Sequence, residues 1–540
     1  MSSAANALSL EEQIGQLLVV GFPGTEPTPE LIDLIQNHHV GNIVLFSRNV
    51  QSTQQLRGLT TRLQELAREA GQRLPLLIAI DQENGMVRRL GEDATLFPGN
   101  MTLGAVGSEQ AAYEVARASG LELQELGVNL NLAPVVDVNN NPANPVIGVR
   151  SFGEDPQQVA RLASAEIRGY QSAGVATCIK HFPGHGDTAT DSHLSMPTIP
   201  YDMARLEQIE LVPFKSGIAT GSDCVMTAHI YFPTLMHDTR LPATLSPAVV
   251  RQLLREQLGF TGVIMTDCLE MKAVSETVGV AQGAVLALQA GNDLILISHR
   301  YNRQLDAIAA LKAAVASGEI SREQLQAAVE RVLQLKERLL RKKQSQANGE
   351  APDLAGGTAH QQLRDQIYER STTLVRDNEH VLPLRLKEEE RLLVVYTHRD
   401  TWTQVEDKGY PEEFLIELLR RRYANIQVIA LNENTSPAEY DELYRSAREA
   451  AAIVMVTVNA LLDPRQAEVM RSIIATGRPV IGLAAYSPYD LLAFPELGTY
   501  IVTYEYTKPA IAAAVRVLCG EITAQGKLPV SLPDLYPLAN

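Results

Sequence analysis

Residues 176–182 read ATCIKHF, an apolar run that terminates in Lys180 and His181. A short run rich in β-branched residues reads as a buried strand, with its polar residues displaced to the end. The construction recurs on both sides. Upstream lie QLLVVGF (16–22), GNIVLF (41–46), LLIAID (76–81) and LNLAPVVDV (130–138), and downstream lie CVMTAHI (224–230), GVIMTD (262–267) and DLILI (293–297). Helical patterns such as 155–173 and 246–258 separate them. Near-continuous apolar strands alternating with helices imply a parallel sheet covered on both faces, and eight repeats within about 340 residues imply a (β/α)₈ barrel.

At the start of the chain, Ser9 and Glu12 have the spacing of a capping box ahead of a first helix. SREQLQAAVERVLQLKERLLRKK (321–343) reads as a long closing helix whose basic residues gather at its C-terminal end. QSQANGEAPDLAGGTA (344–359) is polar and without periodicity, and marks a linker. A second α/β unit follows, with strands expected at 391–397, 426–431, 451–458, 478–485 and 499–506. Helical patterns between them suggest a three-layer sandwich. The expected division is a barrel over 1–343, a linker over 344–359 and an α/β sandwich over 360–540.

Composition narrows the function classes. A chain of 540 residues with 45% hydrophobic and 20% charged residues is that of an ordinary folded protein. Its formal net charge of -16 and its lack of a basic stripe argue against a nucleic-acid partner. No apolar segment reaches the roughly 18–20 residues of a membrane span. Residues 1–20 lack a basic region followed by an apolar run, so no export signal is expected. Cys178, Cys224, Cys268 and Cys519 are far apart and read as reduced packing residues, which fits a cytoplasmic protein.

In a barrel the chemistry comes from the C-terminal ends of the strands and the loops after them. Here Asp81 ends the third run, Asp137 the fourth, Lys180 and His181 the fifth, His229 the sixth and Asp267 the seventh. Any one of these, alone, is as well explained as a turn or capping residue. Five ionisable strand ends on one face concentrate charge that a polar ligand would satisfy.

The densest segment is KHFPGHGDTATDSHLSMP (180–197). Three chemistries are open to it. Some of His181, His185, Asp187, Asp191 and His193 could bind a metal, although no second cluster with metal-ligand spacing appears elsewhere. The loop could be purely structural, held by its Asp, Ser and Thr side chains, which leaves Lys180 unexplained. The third and preferred reading is general acid/base chemistry by His193, oriented by Asp191.

These residues resemble a known family. KHFPGHG followed by DSH is similar to the signature of the NagZ-type β-N-acetylglucosaminidases of glycoside hydrolase family 3. IDQENGMVRRL (80–90) resembles the family's D-x-E-G-G-x-V-x-R segment, and APVVDV (133–138), VIGVRSFG (146–153), MTDCLEM (265–271) and the closing GKLPVSLP (526–533) follow in family order. The resemblance implies that Asp267 is the nucleophile and that His193 with Asp191 is the acid/base dyad. It implies sugar contacts from Asp81, Arg89, Arg150, Lys180 and His181. Gly is usual where this chain has Asn84.

The activity so implied is retaining exo-hydrolysis of terminal β-linked N-acetylglucosamine, for example from cell-wall fragments, with no cofactor. A retaining glycosidase needs a nucleophile and a group that gives and then takes a proton. Histidine suits the second role because its unperturbed pKa is near 6.5. Three alternatives carry distinct expectations: a phosphorylase would form sugar 1-phosphate, a metal-dependent barrel hydrolase would lose activity on chelation, and a silent sugar-binding protein would be indifferent to Asp267→Ala.

Overall fold

The computed structural model describes residues 4–188, 196–236, 240–346, 355–398 and 412–538. Eight strands form one parallel sheet: β1 (Leu18–Val20), β2 (Asn42–Leu45), β3 (Leu77–Ile80), β4 (Leu130–Asn131), β5 (Ala176–Phe182), β6 (Cys224–Thr227), β7 (Val263–Thr266) and β8 (Ile295–Ile297). Their order is β7-β6-β5-β4-β3-β2-β1-β8, and β8 pairs with β1 through Leu18↔Ile295, Val19↔Leu296 and Val20↔Ile297. Between β7 and β8 a Met265–Leu294 bridge completes a nearly closed barrel. All eight strands are buried along their whole length, as a sheet with side chains inside and helices outside requires.

The fourth strand is shorter than the run 130–138 suggests. Pro134 has no N–H to donate, and regular pairing stops after Asn131. The chain still follows β5, because Ala133 O accepts from Cys178 N at 3.0 Å and Val136 N donates to Lys180 O at 2.9 Å. That irregular stretch delivers Asp137 beside the end of β5.

Local signals set the helices. Ser9 and Glu12 form the reciprocal capping box, with Ser9 N donating to Glu12 Oε2 at 2.7 Å. Asp155 caps Pro156–Ser172 by accepting from Gln157 N and Gln158 N. The closing helix runs Arg322–Gln346.

The second sheet contains β9 (Thr373–Asp377), β10 (Leu392–Thr397), β11 (Ile426–Leu431), β12 (Ala452–Thr457), β13 (Val480–Ala484) and β14 (Thr499–Val502), in the order β11-β10-β12-β13-β14-β9. Five strands are parallel and β9 is antiparallel at the edge. The sequence reading missed β9: TLVRD buries only its first residue and carries no apolar run. Every residue of β12 and β13 is buried, so helices cover both faces of the sheet.

The second sheet's unit grips the barrel through polar contacts. Glu505, 1% exposed, accepts from Gly99 N at 3.1 Å, Thr102 Oγ1 at 2.6 Å and Tyr368 Oη at 3.0 Å. Pro529 O accepts from Glu154 N at 3.1 Å, and Asn139 Nδ2 donates to Tyr489 Oη at 3.1 Å. These contacts fix the loops after β3 and β4 from outside. Among the described residues no helix is long and apolar enough to cross a membrane.

Candidate active site

A cavity of about 450 Å³ opens at the C-terminal ends of the barrel strands, a size suited to a small ligand. Asp81, Glu83, Arg89, Arg150, Lys180, His181 and Asp267 all line it. The sequence reading assigned six of these seven. Asp191 and His193 lie outside the described residues, in the segment that follows Thr188.

Asp267 is the first residue past β7. Its backbone N donates to Thr227 O at 3.2 Å, tying it to β6, and its Oδ1 accepts from Cys268 N at 2.6 Å. A carboxylate held by the next residue's amide on a strand end is fixed in position.

Opposite stands a buried charge network. Lys180, 2% exposed, contacts Asp81 Oδ1 at 2.6 Å and Glu83 Oε1 at 2.7 Å. Arg150 clamps Glu83 with two parallel bonds of 2.8 Å, from Nε and Nη2, and gives Nη1 to Val146 O at 3.1 Å. Arg89 Nη2 stands 3.9 Å from Asp81 Oδ2. Burial by itself would raise the Glu83 carboxyl, but Arg150 and Lys180 override it and hold it far below the ordinary carboxylate range. Burial lowers the Lys180 ammonium, and Asp81 and Glu83 more than restore it. With Arg48, the cavity lining carries four cations against the three carboxylates Asp81, Glu83 and Asp267, an excess of one positive charge.

The loop after β5 is organised by Asp137, which is fully buried. Asp137 accepts from the backbone N of His181 at 3.2 Å and of His185 at 2.7 Å, and its Oδ2 lies 2.8 Å from His181 Nδ1. Burial raises this carboxyl, and the charge and hydrogen bond of His181 outweigh that and lower it. The His181 ring is thereby oriented with Nδ1 toward Asp137 and Nε2 as the other face. His185 has its Nδ1 2.9 Å from Thr188 Oγ1, and burial together with His181 brings it down to about 4, so its ring is neutral.

Two strand-end residues turn out to serve the frame. Asp137 is absent from the cavity lining, and so is His229, whose Nδ1 lies 2.9 Å from Thr244 Oγ1 and Nε2 2.9 Å from Cys268 O. Asn84, where the resemblance expects Gly, has φ +67°, and Gly85 beside it has φ +58°. Asn is among the residues that accept this left-handed geometry, and its Nδ2 donates to Tyr170 Oη at 3.1 Å.

Glu83 received no role from the sequence reading, and neither did Arg48 or His299, which also line the cavity. Arg48 and His299 follow β2 and β8, so the rule that located Asp267 would have located them had it been extended by two or three residues. Arg48 is anchored to Phe22 O at 2.9 Å and Ser298 O at 2.8 Å. Burial, Arg48 and Arg300 bring His299 down to about 4. Cys268, Glu270 and His299 are the described residues grouped closely enough to hold a metal ion.

Residues 9–335 match the Glycosyl hydrolase family 3 N terminal domain, which covers well over half of the chain. The chain belongs to glycosyl hydrolase family 3. It is 32% identical to β-hexosaminidase A of Pseudoalteromonas piscicida, over 93% of this chain and 91% of that protein. A family 3 β-N-acetylglucosaminidase structure from Paenibacillus sp. str. FPU-7 is 41% identical, with a TM-score of 0.90, over 97% of this chain and 99% of the other. A fungal multi-domain family 3 β-N-acetylglucosaminidase is 43% identical at a TM-score of 0.92, and there this family 3 chain spans 61% of the longer protein. The fold, with its barrel and second α/β unit, is thus that of a two-domain family 3 glycoside hydrolase.

Proposed function

We propose that this family 3 hydrolase is a retaining exo-β-N-acetylglucosaminidase in which Asp267 attacks the anomeric carbon and His193, paired with Asp191, moves the proton. The observation that carries the proposal is the cavity itself, where one strand-end carboxylate, Asp267, shares a small volume with the buried Lys180, Arg150 and Glu83 and the partly buried Asp81. Such a set, rich in charged donors and acceptors, suits sugar hydroxyls and stabilises a carboxylate as the anion. The names of the similar proteins support the N-acetylhexosaminide substrate.

In the first step His193 protonates the glycosidic oxygen while Asp267 displaces it, forming a covalent glycosyl-enzyme. In the second His193 takes a proton from water, which releases the sugar with net retention. Asp81, Arg89, Arg150, Lys180 and His181 hold the hydroxyls, and Glu83 holds Arg150 and Lys180. Terminal N-acetylglucosamine on cell-wall fragments, handled in the cytoplasm, is the proposed natural substrate. All four cysteines are buried free thiols, including Cys178 and Cys224, which face each other across β5 and β6, and this agrees with a reducing compartment. The proposed division remains a catalytic barrel over 1–343, a linker over 344–359 and a sandwich over 360–540.

The test is turnover of a chromogenic β-N-acetylglucosaminide against the matching β-glucoside by wild type, Asp267→Ala and His193→Ala. Preference for the glucoside refutes the substrate, and full activity in either variant refutes the mechanism. Formation of sugar 1-phosphate in phosphate buffer would replace water by phosphate as the acceptor.

A further inference from the structure

We propose that Cys268, Glu270 and His299 form a binding site for one thiophilic divalent cation of the zinc class, and that filling it shuts the cavity to substrate. The second half rests on the reading of the cavity as the sugar site. The first half stands on the geometry alone.

The three residues come from two neighbouring strand ends, Cys268 and Glu270 after β7 and His299 after β8. One ligand atom from each, a thiol sulfur, a carboxylate oxygen and an imidazole nitrogen, lies within 4.8 Å of the other two. Two backbone contacts lock the segments together: His299 N donates to Glu270 Oε2 at 2.6 Å, and Leu269 N donates to Leu296 O at 2.9 Å.

That lock accounts for one oxygen of Glu270 and leaves the other. Oε1 is buried and accepts no hydrogen bond, in a side chain only 4% exposed, with Arg303 Nη1 3.7 Å away. A buried carboxylate oxygen without a donor is costly, and a cation beside it removes the cost. The Cys268 thiol is held by Ser298 and the backbone of Glu270, and the His299 ring lies 5.5 Å from Phe46, so Glu270 Oε1 is the buried atom of the three side chains left without a hydrogen bond.

The donor set is the one zinc favours. Bond lengths of about 2.0–2.3 Å in tetrahedral geometry put ligand atoms roughly 3.3–3.7 Å apart, so the three must close by about 1 Å, within the range of side-chain rotation. Binding forms a metal–sulfur bond, and the thiol proton leaves to solvent. Thiolate and carboxylate then neutralise the ion. Arg48, whose charge reaches both Cys268 and Glu270, opposes it and limits affinity.

Three protein ligands leave one tetrahedral position open, and Cys268 and His299 both line the cavity. The ion would sit on the cavity wall with its open position available to water or a sugar hydroxyl. Cys268 N is also the donor that holds Asp267 at 2.6 Å, so drawing Sγ toward an ion disturbs the nucleophile. Zinc-class cations are thus expected to inhibit reversibly and in competition with substrate.

The experiment uses the full chain and the metal alone. Cadmium chloride titrated into the protein is expected to give one bound ion per chain by equilibrium dialysis, with thiolate-to-metal charge-transfer absorption in the ultraviolet. Cys268→Ser should abolish the absorption, and Glu270→Gln should weaken binding by more than about 10-fold. Circular dichroism verifies that both variants are folded. Wild type that binds no stoichiometric cadmium, or a folded Cys268→Ser that keeps the absorption, overturns the site. Zinc should then slow turnover over the concentration range in which it binds, with recovery on chelation and protection by free N-acetylglucosamine. Binding without inhibition overturns the link to the cavity while leaving the site intact.

Discussion

Replacing Glu83 by glutamine perturbs the charge network with almost no change of shape. Glu83 is the hub: Arg150 reaches it twice at 2.8 Å and Lys180 once at 2.7 Å, with all three side chains at most 6% exposed. Glutamine keeps one acceptor, turns the other into an NH₂ that faces a cation, and leaves Lys180 and Arg150 with Asp81 as the nearest compensation. Breaking one side of a buried ion pair costs about 3–5 kcal/mol. If residues 9–335 unfold as a unit, roughly 330 residues at about 2.1 cal/mol/K each give about 0.7 kcal/mol/K, and the transition falls by about 4–7 °C. Calorimetry of wild type and Glu83→Gln at pH 7 reads this directly. The difference should shrink in acid: a carboxylate whose folded pKa is depressed adds stability above its unfolded value, near 4.5, and loses it as pH falls below. Adding Arg150→Met to Glu83→Gln should restore part of the loss, because the pair is then removed together. A shift under about 1 °C in Glu83→Gln, with unchanged KM, would show that the network carries neither stability nor substrate.

Asp137→Asn removes the anion that holds the backbone of His181 and His185, and should lower kcat by about 10- to 100-fold with a smaller change in KM, measured by steady-state kinetics. Asn84→Gly should fold normally, whereas Asn84→Val, β-branched at φ +67°, should lose about 1–3 kcal/mol by urea denaturation. Asp490 is fully buried, and burial pushes its carboxyl up to about 7. A carboxyl raised in the folded state retains its proton where the unfolded chain has lost it, so stability should fall from about pH 4 to 7 by up to about 4 kcal/mol. Asp490→Asn should flatten that part of the pH–stability curve, and an unaltered slope would refute the assignment.

The barrel was legible because its strands are buried on both faces, which writes them as unbroken apolar runs such as LIAI and ILI. The strand at Leu130–Asn131 was overdrawn because Pro134 and its neighbours continue the apolar run while regular pairing has ended. The edge strand Thr373–Asp377 was missed for the opposite reason, since one buried residue in five leaves no pattern to read. Within the cavity, Asp267, Lys180 and Asp81 were visible as charges that end strands. Glu83 was quoted within a motif yet given no part, because its partners are 67 and 97 residues away and only folding brings Arg150 and Lys180 to it. Asp137 and His229 obeyed the same strand-end rule and became struts, a distinction that rests on which way each side chain turns.

Retention requires that Asp267 form a covalent bond to the sugar. Incubation with a 5-fluoro-β-N-acetylglucosaminyl fluoride, digestion and peptide mass spectrometry reads it. One glycosyl adduct per chain is expected on the peptide carrying MTDCLEM, at Asp267, released in time by water. An adduct on another carboxylate, or rapid turnover with no adduct in wild type, would contradict it.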